Sequence, residues 1–249
     1  MPRTITRVKR FLRPILMVIT RRDWRGGERL PDGGFVLAPN HLSHLDPILI
    51  AHFLIDHGVT PRFLAKDTLF DLPVIGRIVT SAEQIPVHRQ TGGAAQSLAA
   101  AIASVGNGEP VVIYPEGTIT RDPHLWPMEG RTGAVRVALA TGAPLVPMVH
   151  WGAQQILWPY SKVPKPLPRK TITMRVGDPI DLTDLAGRPL TDELLHEASV
   201  RLTDTLTAML ADVRGELPTG PRVDVRSLGR ARSSYRPEDG DDTPETKER

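Results

Sequence analysis

The sequence predicts an α/β fold, a single domain with a mixed, mostly parallel central sheet covered by helices. Three observations predict it. Short apolar runs alternate with segments of helical periodicity through the middle of the chain, the pattern of a sheet with helices packed on it. Glycine closes several helical segments, as at Gly106, Gly108 and Gly142. No break in composition interrupts residues 30–180, and 249 residues suffice for one domain with its own core.

The first element is helical over residues 3–20 despite Pro14. Its apolar positions Ile5, Val8, Phe11, Leu12, Ile15, Leu16 and Ile19 recur at three- and four-residue spacing. Arg3, Arg7, Lys9, Arg10, Arg13, Arg21, Arg22 and Arg25 stand against the single acid Asp23, although the whole chain carries only +3. Such a basic run suits an anionic partner, a membrane surface or a nucleic acid. The run Ile15–Ile19 is too short to span a bilayer, and no cleavage site follows it. The helix therefore lies in a membrane interface or packs on the domain. Residues 26–34 are turn-rich.

A buried strand follows at 35–38 and leads into Asn40-His41-Leu42-Ser43-His44-Leu45-Asp46. A helix starts at Pro47, with Asp46 in the N-cap position. From there the carboxylate faces back toward His41. A carboxylate on one imidazole nitrogen leaves the other free to take a proton, which is the arrangement of a general base. A capped turn with two solvated histidines competes with that reading on this segment alone. Strands follow at 61–65, ending at Lys66, and at 84–87, ending at His88-Arg89. A short or kinked helix lies between them at 68–81, broken by Pro73 and Gly76. Residues 92–107 are a helix, 111–114 a buried strand stopped by Pro115-Glu116-Gly117-Thr118, 131–141 a helix and 145–149 a strand. Residues 171–177 read as a late edge strand. Residues 190–214 form a long amphipathic helix, with Thr191 suited to its start. From 215 the apolar periodicity is lost, and composition predicts a disordered polar tail to residue 249. The expected organisation is thus a basic amphipathic helix at 1–25, a domain at 26–214 and a tail at 215–249.

Four strands end in chemistry: His41, Lys66, Arg89 and Glu116-Gly117-Thr118. Ligands of open α/β sheets bind beyond the carboxyl ends of the strands. If these strands are parallel, one cleft holds a His–Asp pair, two cations and a glycine turn with backbone N–H groups to offer. That set suits deprotonation of a hydroxyl on a phosphate-bearing molecule. Singly each residue is equally a solvated strand-end charge; the agreement of four strand ends favours the cleft. There is no Gly-x-Ser-x-Gly elbow for an acyl-enzyme and no Gly-x4-Gly-Lys loop for ATP. Cysteine is absent, which removes thiolate nucleophiles and disulfides. His41 and His44 lack paired metal-ligand spacing.

Asn40-His41-x-Ser43-x-x-Asp46, Ile85-Pro86-Val87-x-Arg89, Tyr114-Pro115-Glu116-Gly117-Thr118 and Val146-Pro147 resemble, in order and spacing, the four motifs of the glycerophospholipid acyltransferase family. The bacterial 1-acyl-glycerol-3-phosphate acyltransferases are the members it is most similar to, over residues 30–180. The resemblance implies His41 as general base, Asp46 as its orienting partner, and direct attack of the acceptor hydroxyl on an acyl thioester. It implies Arg89, helped by Lys66, on an acceptor phosphate. Glu116, Gly117 and Thr118 would shape the acceptor pocket, with backbone N–H groups for acceptor or oxyanion, and Arg131 would be the basic residue after the third motif. It implies no metal and no cofactor, acyl-CoA or acyl carrier protein as donor, lysophospholipid acceptors, membrane phospholipids as partners, and a peripheral place on the cytoplasmic face of the cell membrane. The basic, aromatic loop 158–165 is a second candidate for bilayer contact. One position departs from the family: Ile119 stands where an arginine usually follows Thr118, which leaves another lysophospholipid or a glycolipid open as acceptor. A membrane- or nucleic-acid-binding module is the competing class. Aromatic residues are only 5% of the chain, too few to interleave a single-strand-binding surface, so no nucleic-acid partner is expected.

Overall fold

The computed structural model describes residues 3–87 and 93–224, apart from the side chains of residues 3–9 and 11. Within them the strands are β1 (Thr20–Arg25), β2 (Val36–Pro39), β3 (Arg62–Lys66), β4 (Ile85–Val87), β5 (Val111–Val112), β6 (Leu145–Trp151) and β7 (Lys170–Val176). The helices are α1 (Arg3–Ile19), α2 (Asp46–Asp56), α3 (Ile75–Ser81), α4 (Gly93–Gly106), α5 (Gly133–Thr141), α6 (Ala153–Ile156) and α7 (Asp192–Arg214). One sheet runs in the order β1-β7-β6-β2-β5-β3-β4. Strands β6, β2, β5, β3 and β4 are mutually parallel, β7 runs antiparallel to β6, and β1 is parallel to β7.

Alternation along the strands builds two cores. Val36, Ala38, Val111, Ile113, Leu145 and Val149 point to the face covered by α4, α5 and α7. Phe35, Leu37, Val112, Val146, Met148, Ile172 and Met174 point to the face packed by α2, α6 and Leu16 of α1. Central parallel strands buried on both faces read as unbroken apolar runs, as at 35–38. A fully buried Leu such as Leu37 contributes about 2 kcal/mol of transfer free energy. Thr191 caps α7 by accepting from the Leu194 N–H at 3.3 Å, as its position predicts.

Two expectations are corrected at the sheet edge. Residues 20–25 form a strand that the sequence pattern conceals, because Thr-Arg-Arg-Asp-Trp-Arg is mostly charged. Charge is a property of edge strands, which it protects from further pairing. Strand β7 is consequently not an edge: β1 covers it in parallel register from Thr20 opposite Lys170 to Arg25 opposite Arg175. Arg175 donates to the Asp23 carboxylate at 2.6 Å across that pairing. The kinked segment 68–81 resolves into a 3-10 turn at Asp67–Leu69 and the short α3.

At the N-terminus the apolar stripe divides. Leu16 is buried in the core, while Ile15 and Val18 are 56% and 69% exposed. Arg13 and Arg22 both pair with Asp56 at the end of α2, so the last turns of α1 are tied to the domain. Among the described residues, no helix is long and apolar enough to cross a membrane. After α7 the chain returns to the domain: Glu129 donates its N–H to the Val223 carbonyl at 2.8 Å, and Arg222 reaches Asp204 at 2.7 Å. Contacts with the domain thus extend past the expected boundary at 214. The rest of the expected tail, 225–249, lies outside the described residues.

Candidate active site

The site begins where β2 runs out. Asn40 is buried, and its side-chain amide acts as one more rung between β2 and β6. Its Nδ2 donates to the His150 carbonyl at 3.1 Å and its Oδ1 accepts from the His150 N–H at 2.9 Å. The chain then turns, and α2 starts at Asp46 itself, with Leu45 as N-cap. Asp46 is therefore one residue further into the helix than the N-cap position assigned from sequence. Its carboxylate still folds back over the turn.

Asp46 Oδ2 accepts from the Leu42 N–H at 2.6 Å, the Ser43 N–H at 2.8 Å and His41 Nδ1 at 2.8 Å. His150 Nε2 lies 3.4 Å from the same oxygen. Asp46 is wholly buried, and burial alone would push its carboxyl up. His150 and His41 outweigh burial and hold it well below the ordinary carboxylate range. An ionised carboxylate only accepts, so His41 carries its proton on Nδ1 and keeps the Nε2 lone pair for a substrate.

Tyr114, at the end of β5, stacks on His41 with ring centroids 4.0 Å apart and planes 19° apart. Its phenol is held protonated, raised first by burial and then by the Asp46 charge. Glu116 braces the turn from below. Its Oε1 accepts the His41 N–H at 3.0 Å and its Oε2 the Met128 N–H at 3.2 Å. Burial above all, and the nearby Asp46 and Asp122 charges, push its carboxyl up to about 8. On the open side, His44 is shifted down, by burial and then by the proximity of His41.

The glycine turn adopts φ +66° at Gly117, and a Cβ there would lie 2.9 Å from Arg131 Cδ. Glycine is required on both counts. Arg131 crosses this turn with its N–H on the Pro115 carbonyl at 2.7 Å. A loop from beyond β6 closes over the same place. Ser43 Oγ donates to the Leu157 carbonyl at 2.7 Å, Tyr160 OH donates to the Ile119 carbonyl at 2.7 Å, and Thr118 Oγ1 lies 3.3 Å from Tyr160 OH.

The chain as a whole has known counterparts. The family model described as Acyltransferase matches residues 21–151, more than half of the chain. The chain belongs to the acyltransferase family. It is 31% identical over 140 residues to a chloroplastic 1-acyl-sn-glycerol-3-phosphate acyltransferase of Brassica napus, covering 55% of this chain and 39% of that one. It is 27% identical over 118 residues to a 1-acyl-sn-glycerol-3-phosphate acyltransferase of Salmonella typhimurium, 47% of this chain and 46% of that one. The chain thus spans less than half the length of either relative. Its fold matches the crystal structure of the 1-acyl-sn-glycerophosphate acyltransferase of Thermotoga maritima, with TM-score 0.65 and 19% identity over 86% of this chain and 81% of that one.

In this member of the acyltransferase family the residues singled out from sequence have different situations. His41, Asp46, Glu116, Gly117, Thr118 and Arg131 gather at the ends of β2 and β5. Glu116 does not line a pocket: it is 1% exposed and engaged with two backbone donors. The expected offer of the Gly117 N–H to a ligand also fails, since it donates to the Tyr114 carbonyl at 3.0 Å. Lys66 ends β3 at the same sheet edge, exposed. That strand is two places from β2, about 10 Å away at ordinary strand spacing. Arg89 lies outside the described residues. Among those described, no group of three or more His, Asp or Glu side chains could hold a metal ion. Sequence reasoning misses Tyr114 as the stacking partner of His41, Tyr160 as the latch of the overlying loop, and His150. Tyr114 opens a recognisable motif and is within reach; His150 is a lone histidine at the end of an apolar strand and carries no local signal.

Proposed function

We propose that this protein transfers an acyl group from an acyl thioester, acyl-CoA or acyl carrier protein, to the free hydroxyl of a lysophospholipid, foremost 1-acyl-sn-glycerol-3-phosphate, giving phosphatidate. The observation that carries the reading is the 2.8 Å contact between His41 Nδ1 and the ionised Asp46. The Nε2 of His41 takes the proton of the acceptor hydroxyl. The hydroxyl oxygen attacks the thioester carbonyl, the C–S bond breaks, and the imidazolium returns the proton to the departing thiolate. No covalent acyl-enzyme forms. Arg131 and Lys66, at the same sheet edge, supply positive charge for an acceptor phosphate. The exposed Ile15 and Val18 on the basic α1 suit the interface of a membrane that holds the acceptor, on the cytoplasmic face.

A second acceptor class is favoured by Ile119. This side chain is buried at 3% exposure where the family commonly carries a cation, so a different lysophospholipid or a glycolipid fits the same chemistry. The test is free-thiol release from oleoyl-CoA with a panel of acceptors. Lysophosphatidate turnover that vanishes in His41→Ala supports the reading, and turnover unchanged in that variant defeats it. Ile119→Arg separates the two acceptor classes by shifting preference toward lysophosphatidate if the missing cation sets it.

A further inference from the structure

His150 is 0% exposed near the end of β6, and it meets the catalytic turn through every polar group it uses. Its backbone N–H and carbonyl are bonded to the Asn40 amide at 2.9 and 3.1 Å. Its ring Nε2 is 3.0 Å from the Asn40 carbonyl and 3.4 Å from Asp46 Oδ2. Both of those oxygens only accept, so Nε2 carries the proton, donating it to the Asn40 carbonyl and turning its positive N–H end toward the Asp46 carboxylate. The Asn40 carbonyl belongs to the peptide that enters His41. One ring therefore contacts both the backbone before the base and the carboxylate oxygen that the base itself uses.

We propose that His150 is a positioning residue for acyl transfer: as the second imidazole on Asp46, in a His41–Asp46–His150 relay of contacts, it fixes the aim of the dyad and the proton affinity of His41. The inference rests on the proposed function for its kinetic part only. The groups facing this relay are Tyr114 and Glu116 from beyond β5, His44 on the turn, and Asn40. None of them donates to Asp46 Oδ2 among the described contacts. Withdrawing the His150 donor leaves more negative charge for His41 alone, so the imidazolium is favoured and His41 holds its proton to higher pH.

The test compares His150→Phe, which keeps the ring volume without a donor, and His150→Gln, whose amide restores one at similar reach. Imidazole titration by NMR on the full-length, substrate-free protein reads the dyad independently of any activity. The His41 midpoint is expected to move up by roughly half a pH unit or more in His150→Phe and to return toward wild type in His150→Gln. With thiol release as readout, kcat is expected to fall about tenfold to hundredfold in His150→Phe, with the acceptor KM unchanged and the acid limb displaced in the same direction. Midpoints identical in all three proteins overturn the proposal, as does a kcat loss that His150→Gln does not reduce. Should His150→Phe fail to fold, His150→Asn replaces it, its amide being one carbon short: equal midpoints in the Asn and Gln variants then overturn the proposal. An unmoved His41→Ala turnover defeats the proposed function instead and leaves the NMR result to stand by itself.

Discussion

Replacing Glu116 by glutamine should change the sign of its effect on stability with pH. The wild-type carboxyl is pushed up to about 8 in the folded protein, by burial first, against an ordinary value of 4.5. A group raised by folding contributes its full stability below the unfolded value and loses it as pH rises through the folded one. A tenfold change in proton affinity corresponds to about 1.4 kcal/mol, so wild type should lose up to about 4 kcal/mol between pH 5 and pH 8 from this one side chain. The glutamine of the variant does not titrate. Its cost lies elsewhere: the two carboxyl oxygens each accept a backbone N–H, from His41 and Met128, and an amide has one accepting oxygen where the carboxyl has two. One buried donor is left unpaired, at a cost of about 1–3 kcal/mol. Glu116→Gln should therefore be less stable than wild type at pH 5 and more stable at pH 8, with the curves crossing at roughly pH 6. Urea unfolding of both full-length proteins at several pH values, followed by far-UV circular dichroism, reads the difference, and all other titrating groups cancel in it. A stability gap that stays constant across the range would refute a neutral, buried Glu116.

His41→Ala should lower turnover by roughly 10²–10⁴-fold, the usual worth of a general base, and should cost about 1–3 kcal/mol of stability because the buried Asp46 carboxylate loses a donor; thiol release and a urea curve measure the two. Gly117→Ala should cost about 1–2 kcal/mol, because φ +66° is strained for alanine and its Cβ meets Arg131 Cδ at 2.9 Å; no loss in Arg131→Ala/Gly117→Ala relative to Arg131→Ala would show that φ carries none of it. Tyr160→Phe removes the bond to the Ile119 carbonyl, worth about 1 kcal/mol, and should speed limited proteolysis within residues 157–169; an unchanged cleavage rate would mean that the hydroxyl does not latch the loop.

Much of the fold is legible in the sequence because the parallel strands are buried on both faces. Phe35-Val36-Leu37-Ala38 and Val111-Val112-Ile113 are apolar without interruption, and glycines or Thr191 punctuate the helices between them. What is hidden is hidden for physical reasons. β1 is an edge strand whose exposed side needs charge, so its residues carry no apolar alternation. The facing of Asp46 toward His41 follows from the motif, and only its place in the helix differs by one residue. The roles within the Pro-Glu-Gly-Thr turn are not legible at all. Whether a glutamate side chain lines a cavity or ties two backbone segments together depends on residues such as Met128, outside the motif. Likewise, the Gly117 N–H is occupied by an ordinary turn bond that no motif announces. His150 cannot be found from sequence because its partners, Asn40 and Asp46, are more than a hundred residues earlier.

Two buried carboxyl groups serve one histidine here, and the structure drives them in opposite directions. Asp46 and Glu116 are both excluded from water, at 0% and 1% exposure, so burial raises both. The outcome is decided by the donors each receives. Asp46 has three close donors on a single oxygen, two of them peptide N–H groups, with the His150 ring 3.4 Å from the same oxygen. Glu116 has two peptide donors, one on each oxygen, and faces the Asp46 charge. The first set concentrates stabilisation on one anionic oxygen and keeps Asp46 ionised; the second also favours the anion but is outweighed by burial and by the Asp46 and Asp122 charges. Environments that separate the charge states of neighbouring carboxyls are how a site assigns roles. Ionised Asp46 fixes the tautomer of His41, while neutral Glu116 holds the His41 backbone without adding a second negative charge. Were both ionised, their repulsion would act across the very residue whose position they share. The ionised state of Asp46 is thus one cause of the neutral state of Glu116, after burial, and the two belong to one device.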